Sequence, residues 1–246
     1  MPDAPGTWPG RTGQVLVVQH QPDCPPGYVG ERLVQRGARI HLVDAHWPAL
    51  PDPRAYDLVV SLGSYESADD DSLPSVRREY DFIAAAVACD VPVFGICFGA
   101  QLLSRVLGGR VHRAAEGPEI GWICVEPAAR QDGPATGTLS VPPGPWMIWH
   151  FDVMTTPEDG VELVRTAVGA QAFAFGPHVG VQFHPEAEVD SVRSWARHYA
   201  STLRRTGIGE AELLARTVAL APEARRRGHA LTDHVVDRAS SYAVGS

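Results

Sequence analysis

Over roughly the first hundred positions, runs of β-branched and aliphatic residues recur. Each is closed by turn residues and followed by a segment of helical spacing. Residues 14–19 (QVLVVQ), 38–44 (ARIHLVD), 57–62 (DLVVSL) and 91–96 (VPVFGI) read as strands. Between them, residues 28–36 predict a short amphipathic helix closed by Gly37, and residues 77–89 a helix with an alanine-rich face. Residues 20–27 and the proline-broken stretch 47–53 read as loops. Beyond Ile96, the positions Leu102, Leu103 and Val106 fall at helical spacing, so a helix follows the fourth strand almost at once. Strands alternating with helices predict a parallel sheet covered on both faces, with ligands taken beyond the carboxyl ends of the strands.

After Gly108-Gly109 the pattern changes to short strands separated by turn residues, at 110–112, 121–126, 146–151, 161–166, 170–175 and 179–183. Val189, Val192, Trp195 and Tyr199 predict a helix over 188–205, and one or two more follow over 207–229. Residues 239–246 read as a frayed tail, and the proline- and glycine-rich residues 1–13 as a flexible arm. The fold expected is a single α/β domain over 14–246. It has a central, mostly parallel mixed sheet flanked by helices in flavodoxin-like layers, and a helical C-terminal extension from about residue 205.

Composition narrows the function. The 246 residues carry a net charge of −8, which argues against binding nucleic acid or an anionic membrane. No apolar run reaches the roughly 18 residues of a membrane helix, and no secretory signal opens the sequence. Cys24, Cys89, Cys97 and Cys124 lack paired spacing, as expected of reduced thiols in a cytoplasm. All 21 basic residues are arginine, so neither a lysine Schiff base nor a phosphate-loop lysine is available. Any activation by ATP then falls to another polypeptide.

Chemistry concentrates at two strand ends. Gly95-Ile96-Cys97-Phe98-Gly99 places a cysteine where a strand turns sharply into a helix, with glycines at both second neighbours. A helix N-terminus beside the sulfur favours its thiolate, as a nucleophile needs, although a buried structural cysteine fits the same turn. His184 stands directly after the apolar run 179–183, Pro185 stops the ladder, and Glu186 lies two residues on, close enough to hold the imidazole in one tautomer. Cys97, His184 and Glu186 thus form a candidate nucleophile, base and orienting group. His20 begins a loop that could line the pocket, whereas His112, His178, His198 and His229 read as surface or helix-face residues. Cys24 and Cys124 read as packing residues, Arg225-Arg226-Arg227 as a solvated helix face, and the run Asp69–Asp71 as a weak metal signal, so no metal site is expected.

Gly95-Ile96-Cys97-Phe98-Gly99-Ala100-Gln101 together with Gln182-Phe183-His184-Pro185-Glu186 closely resembles the signature pair of class I glutamine amidotransferases. The nearest likeness is to the amidotransferase domain of GMP synthetase and its free-standing relatives. Residues 59–69 (VVSLGSYESAD) occupy the place of the family's oxyanion loop. Glu119-Ile120-Gly121-Trp122 and Trp149-His150-Phe151-Asp152 resemble further family segments. The resemblance covers about 15–195. It implies glutamine amide hydrolysis through a cysteine thioester, without a cofactor. It also implies an oxyanion hole from the backbone of Phe98 and of Gly63 or Ser64, and glutamine contacts from Gln101 and the backbone around His150 and Phe151. Where the family usually has a second glycine and then proline, this sequence has Ser64 and Tyr65, and Tyr65 beside the pocket is expected to gate or narrow it.

The leading expectation is a glutaminase that passes ammonia to a separate ATP-dependent synthetase or ligase. The alternatives are a γ-glutamyl hydrolase or transferase acting on another γ-glutamyl amide, and a non-catalytic regulatory relative.

Overall fold

The computed structural model describes residues 8, 12–128 and 139–243. In its first half, strands β1 (Gly13–Gln19), β2 (Ala38–Asp44), β3 (Leu58–Ser61) and β4 (Val93–Ile96) alternate with helices α1 (Gly27–Gln35), α2 (Pro74–Ala88) and α3 (Phe98–Val106). The expected helix over 77–89 starts earlier, because Pro74 occupies a first-turn position where its missing N–H costs nothing. The second half adds β5 (Val111–Arg113), β6 (Glu119–Cys124), β7 (Glu126–Pro127), β8 (Pro145–His150), β9 (Asp152–Met154), β10 (Val161–Arg165), β11 (Ala170–Phe175) and β12 (His178–Val181). It closes with helices α4 (Val189–His198), α5 (Ala200–Thr206) and α6 (Glu210–Ala243).

Among the described residues the main sheet has eight strands in the order β2-β1-β3-β4-β12-β11-β10-β7. The first five are parallel to their neighbours and the rest are antiparallel, giving the mixed sheet expected from the sequence. Period-two alternation sends the residues of each buried strand to opposite faces. Val15, Val17, Val60, Phe94, Ile96 and Val181 pack on one face against Val29 and Leu33 of α1 and Leu231, Val235 and Val236 of α6. Leu16, Val18, Val59 and Val93 pack on the other against Phe82 and Ile83 of α2 and Leu102 and Leu103 of α3. Each such side chain removed from water contributes roughly 1.5–3 kcal/mol, so two buried faces account for the near-continuous apolar runs. The ribbons β5–β9 and β6–β8 stand apart from this sheet, and β6–β8 packs on α4 and α6 through Trp122, Met147 and Trp195.

Several expectations change in detail. The strand expected over 146–151 breaks at Phe151, where the chain passes from its pairing with β6 to a short pairing of β9 with β5. The single helix expected over 188–205 divides at Tyr199, whose backbone leaves the helical region (φ −98°, ψ 22°) as its ring packs on Trp149 and Phe151. Of the one or two helices expected after 207, one forms, 34 residues long and running through Pro222; it continues past His229 to Ala243, so residues 239–243 of the expected tail are helical. An interior proline costs about 3 kcal/mol, and buried Leu213, Ala224, Leu231 and Val235 on either side of it offset that loss. Its acidic residues hold α1: Asp233 pairs with Arg32 and Arg36, and Asp237 with Arg36. Of the expected N-terminal arm, residues 1–7 and 9–11 lie outside the described residues, while Trp8 is buried in the same core as Val15, its ring against Gly13. Residues 244–246 of the expected tail also lie outside.

Candidate active site

β4 ends at Ile96 and α3 begins at Phe98, leaving Cys97 alone to make the turn. Its backbone sits at φ 52° and ψ −105°, a conformation costing on the order of 1–3 kcal/mol that survives only where the surroundings over-determine it. They do so here. A Cβ on Gly95 would lie 2.5 Å from the Gly99 carbonyl, and one on Gly99 would overlap the Ser61 carbonyl, so β3, β4 and α3 meet at backbone contact. Cys97 N–H donates to Val181 O at 2.8 Å, tying the turn to β12. The side chain points into a cleft, where the thiol donates to Trp149 O at 3.8 Å and Gln182 Nε2 donates to the sulfur at 3.6 Å.

Because β12 runs parallel to β4, its end delivers the following residues to the same sheet edge. His184 Nδ1 lies 2.7 Å from Glu186 Oε1, and both side chains are buried. With Nδ1 engaged by the carboxylate, Nε2 is left for Cys97. The loop after β3 closes on the same spot: a Cβ on Gly63 would come within 3.1 Å of His184 Cε1 and 3.8 Å of Cys97 Cβ. Burial opposes a charge on the His184 ring, yet the Glu186 carboxylate and the Cys97 sulfur hold its pKa well above the ordinary histidine value. The turn carrying Glu186 is braced from outside. Its carbonyl accepts from Tyr28 N–H at 3.2 Å, and Gly228 of α6 presses so closely on Pro185 O that a Cβ would overlap it.

Gly63, Ser64, Tyr65, Phe98, Gln101, His150 and Phe151 all line the cleft with Cys97 and His184. Phe98 is the first residue of α3, so its N–H has no carbonyl one turn back to bond. Among the described non-glycine residues positive φ occurs at Asp90 and Cys97, so Ser64 keeps an ordinary backbone in the glycine's place. Tyr65 donates its hydroxyl to Asp23 Oδ2 at 2.5 Å and stacks on His198 with ring centroids 4.0 Å apart. Gln101 donates to Asp152 O at 3.0 Å and Gln182 Oε1 at 3.1 Å, leaving its own carbonyl oxygen for the cleft. His150 is held by Glu119 Oε2 at 3.1 Å, and its buried Nδ1 has no hydrogen-bond partner among the described residues.

Comparison with known proteins places the chain in a family. The family model described as glutamine amidotransferase class-I matches residues 28–193. The chain belongs to that family. Similar proteins include the glutamine-hydrolyzing GMP synthase of Thermus thermophilus, 40% identical over 100 residues that cover 39% of this chain and 19% of that protein. The GMP synthase of Thermomicrobium roseum is 34% identical over 147 residues, covering 58% of this chain and 25% of that protein. The match thus spans a quarter or less of the length of these relatives. Among solved structures, a glutamine amidotransferase of Thermotoga maritima shares the fold with a TM-score of 0.81 at 24% identity, covering 92% of this chain and 99% of that one. A glutamine amido transferase of Methylobacillus flagellatus has a TM-score of 0.79 at 25% identity, with 96% of each chain covered.

Other residues of this amidotransferase stand differently from their sequence reading. Gln182 sits between Gln101 and the Cys97 sulfur, a place signalled only by its position just before Phe183-His184. Arg113, Trp149, Trp195 and Tyr199 also line the amidotransferase cleft, and nothing in their local sequence marks Arg113. His20 is buried, bonded to Glu79 Oε2 at 2.6 Å and edge-on to Phe98. His178 is buried rather than on the surface, and Cys124 is exposed rather than packed. Arg227 turns inward beneath Trp146 while Arg225 and Arg226 stay in solvent. Asp71 pairs with Arg105, and among the described residues no cluster of His, Cys, Asp or Glu could hold a metal ion. No helix among them is long and apolar enough to cross a membrane.

Proposed function

We propose that this chain hydrolyses the side-chain amide of L-glutamine through a γ-glutamyl thioester on Cys97 and delivers the ammonia to a separate ATP-dependent synthetase or ligase. The observation that carries the proposal is a strained cysteine at a helix N-terminus, sharing one cleft with a buried histidine 2.7 Å from a buried carboxylate. His184 Nε2 takes the thiol proton, and the thiolate attacks the amide carbon. The resulting oxyanion is met by the Phe98 N–H and by a backbone N–H from Gly63 or Ser64, donors worth about 3 kcal/mol each. His184 returns the proton to the nitrogen, the C–N bond breaks and ammonia leaves. Water, deprotonated by the same ring, attacks the thioester; the C–S bond breaks, glutamate departs and Cys97 regains its proton. Glu186 keeps the imidazole in the productive tautomer and stabilises its charged form. Gln101 and the main chain at His150 and Phe151 hold the substrate.

The synthetase partner follows from two supports: a chain without lysine offers no phosphate-loop lysine, and the similar GMP synthases are named glutamine-hydrolyzing. A reducing cytoplasm suits the free thiols. One observation favours a second reading, hydrolysis of a larger γ-glutamyl amide: Tyr65, Trp149, Phe151 and Tyr199 give the cleft aromatic walls that an ammonia leaving group does not need. The test is ammonia release from glutamine by wild type and Cys97→Ala, with covalent labelling of Cys97 by a diazo-ketone glutamine analogue. Steady release and labelling, both lost in Cys97→Ala, are expected. Turnover of N-substituted γ-glutamyl amides with glutamine ignored would transfer the chemistry to the second reading.

A further inference from the structure

The catalytic groups account for the amide end of the substrate and leave its α-carboxylate without a counter-charge. Among the described residues lining the cleft, Arg113 alone carries a permanent positive charge, while Glu66 and Asp152 are carboxylates. The protein as a whole has a net charge of −8, and Arg113 is the permanent side-chain cation that an anionic group meets on entering this cleft.

Arg113 ends β5, and its guanidinium carbon lies 4.9 Å from the centroid of the Phe151 ring. Its one side-chain hydrogen bond among the described residues runs from Nη1 to Asp152 Oδ1 at 3.3 Å. Asp152 is itself fixed, with Oδ2 accepting from Ser67 Oγ at 2.7 Å. A guanidinium has five N–H donors, so the ring face and the carboxylate orient this one while most of its fork stays unspent. The Arg113 side chain is 68% exposed at the cleft mouth, and so open an ion pair contributes little to folding. The arrangement orients a cation without consuming it.

We propose that Arg113 is the specificity-determining residue that takes the α-carboxylate of the γ-glutamyl substrate, with Phe151 and Asp152 setting the plane of its fork. This rests on the cleft being a γ-glutamyl amide site. A planar fork matches a carboxylate with two parallel hydrogen bonds, a geometry lysine cannot reproduce. The contact forms equally in ground and transition states, so its loss raises KM and leaves kcat in place.

The test compares wild type, Arg113→Gln and Arg113→Lys on L-glutamine and on 4-aminobutanamide, which is glutamine without its α-carboxylate. For glutamine, Arg113→Gln is expected to raise KM about 10- to 100-fold with kcat within twofold, and Arg113→Lys to fall between. For 4-aminobutanamide, the wild type and Arg113→Gln are expected to be equal, because the substrate lacks the group that Arg113 reads. An unchanged KM for glutamine, or an equal loss on both substrates, overturns the assignment. Calorimetric binding of L-glutamine to Cys97→Ala, with and without Arg113→Gln, separates the two levels. If the wild type releases no ammonia but binding depends on Arg113, the catalytic reading fails and this one stands. Binding that ignores Arg113, or no binding at all, overturns it.

Discussion

His178 opens β12 in the core, and its Nδ1 accepts a hydrogen bond at 3.2 Å from the N–H of Val93, the first residue of the strand that leads into Cys97. Accepting at Nδ1 requires a neutral ring. Burial is the main cause that depresses its pKa from 6.5 to about 4; Asp90 opposes the shift and Arg238 adds to it. In the unfolded chain the ring takes a proton below about 6.5, whereas in the folded protein it resists until about 4. Between those values the unfolded state binds more protons, so stability falls as pH falls. The gap between 6.5 and 4 is about 2.5 pH units; at about 1.4 kcal/mol each it amounts to about 3.5 kcal/mol. The perturbation is His178→Asn, whose side-chain oxygen can accept from Val93 without titrating. Urea unfolding from about pH 7 to about pH 4.5 should show the wild type losing about 2–3 kcal/mol more than the variant. Parallel stability profiles would refute the argument, because they would mean that His178 carries the same proton in both states.

Glu186→Gln keeps the side-chain shape and removes the charge. It should lower kcat about 10²- to 10⁴-fold with little change in KM, and initial rates of ammonia release decide it. Because the native pKa of His184 is raised, its charged form contributes stability fully present below about 6.5 and lost as pH climbs through the native value. The same variant should therefore lose more stability at pH 6 than at high pH, the opposite of the His178 profile. Gly228→Ala separates helix propensity from packing: propensity alone predicts a gain of up to about 1 kcal/mol, and overlap with Pro185 O a loss of about 1–3 kcal/mol. We expect the loss, read as a lower Tm, with kcat reduced as the Glu186 turn shifts; a stabilised variant of full activity would remove α6 from the bracing of the site.

The sequence by itself determined whatever repeats along the chain at short range. Alternating apolar runs announced the buried strands, because a strand covered on both faces must be apolar at successive positions. The flanking glycines announced the turn at Cys97, because no other side chain fits where β3, β4 and α3 touch. His184-Pro185-Glu186 was legible for the same reason: its hydrogen bond spans two residues. Only the tertiary structure decided what depends on distant partners. Glu126–Pro127 and Asp152–Met154 are strands because β10 and β5 lie beside them, not through any pattern of their own. The helix break at Tyr199 comes from rings on β8 and the following bend. Burial of His178 follows from the place of β12 beside β4, and Arg113 reaches the cleft because β5 pairs with the strand that carries Asp152. Side-chain periodicity records which face of an element is covered; it carries no record of which remote element covers it, and the cleft is built from those remote choices.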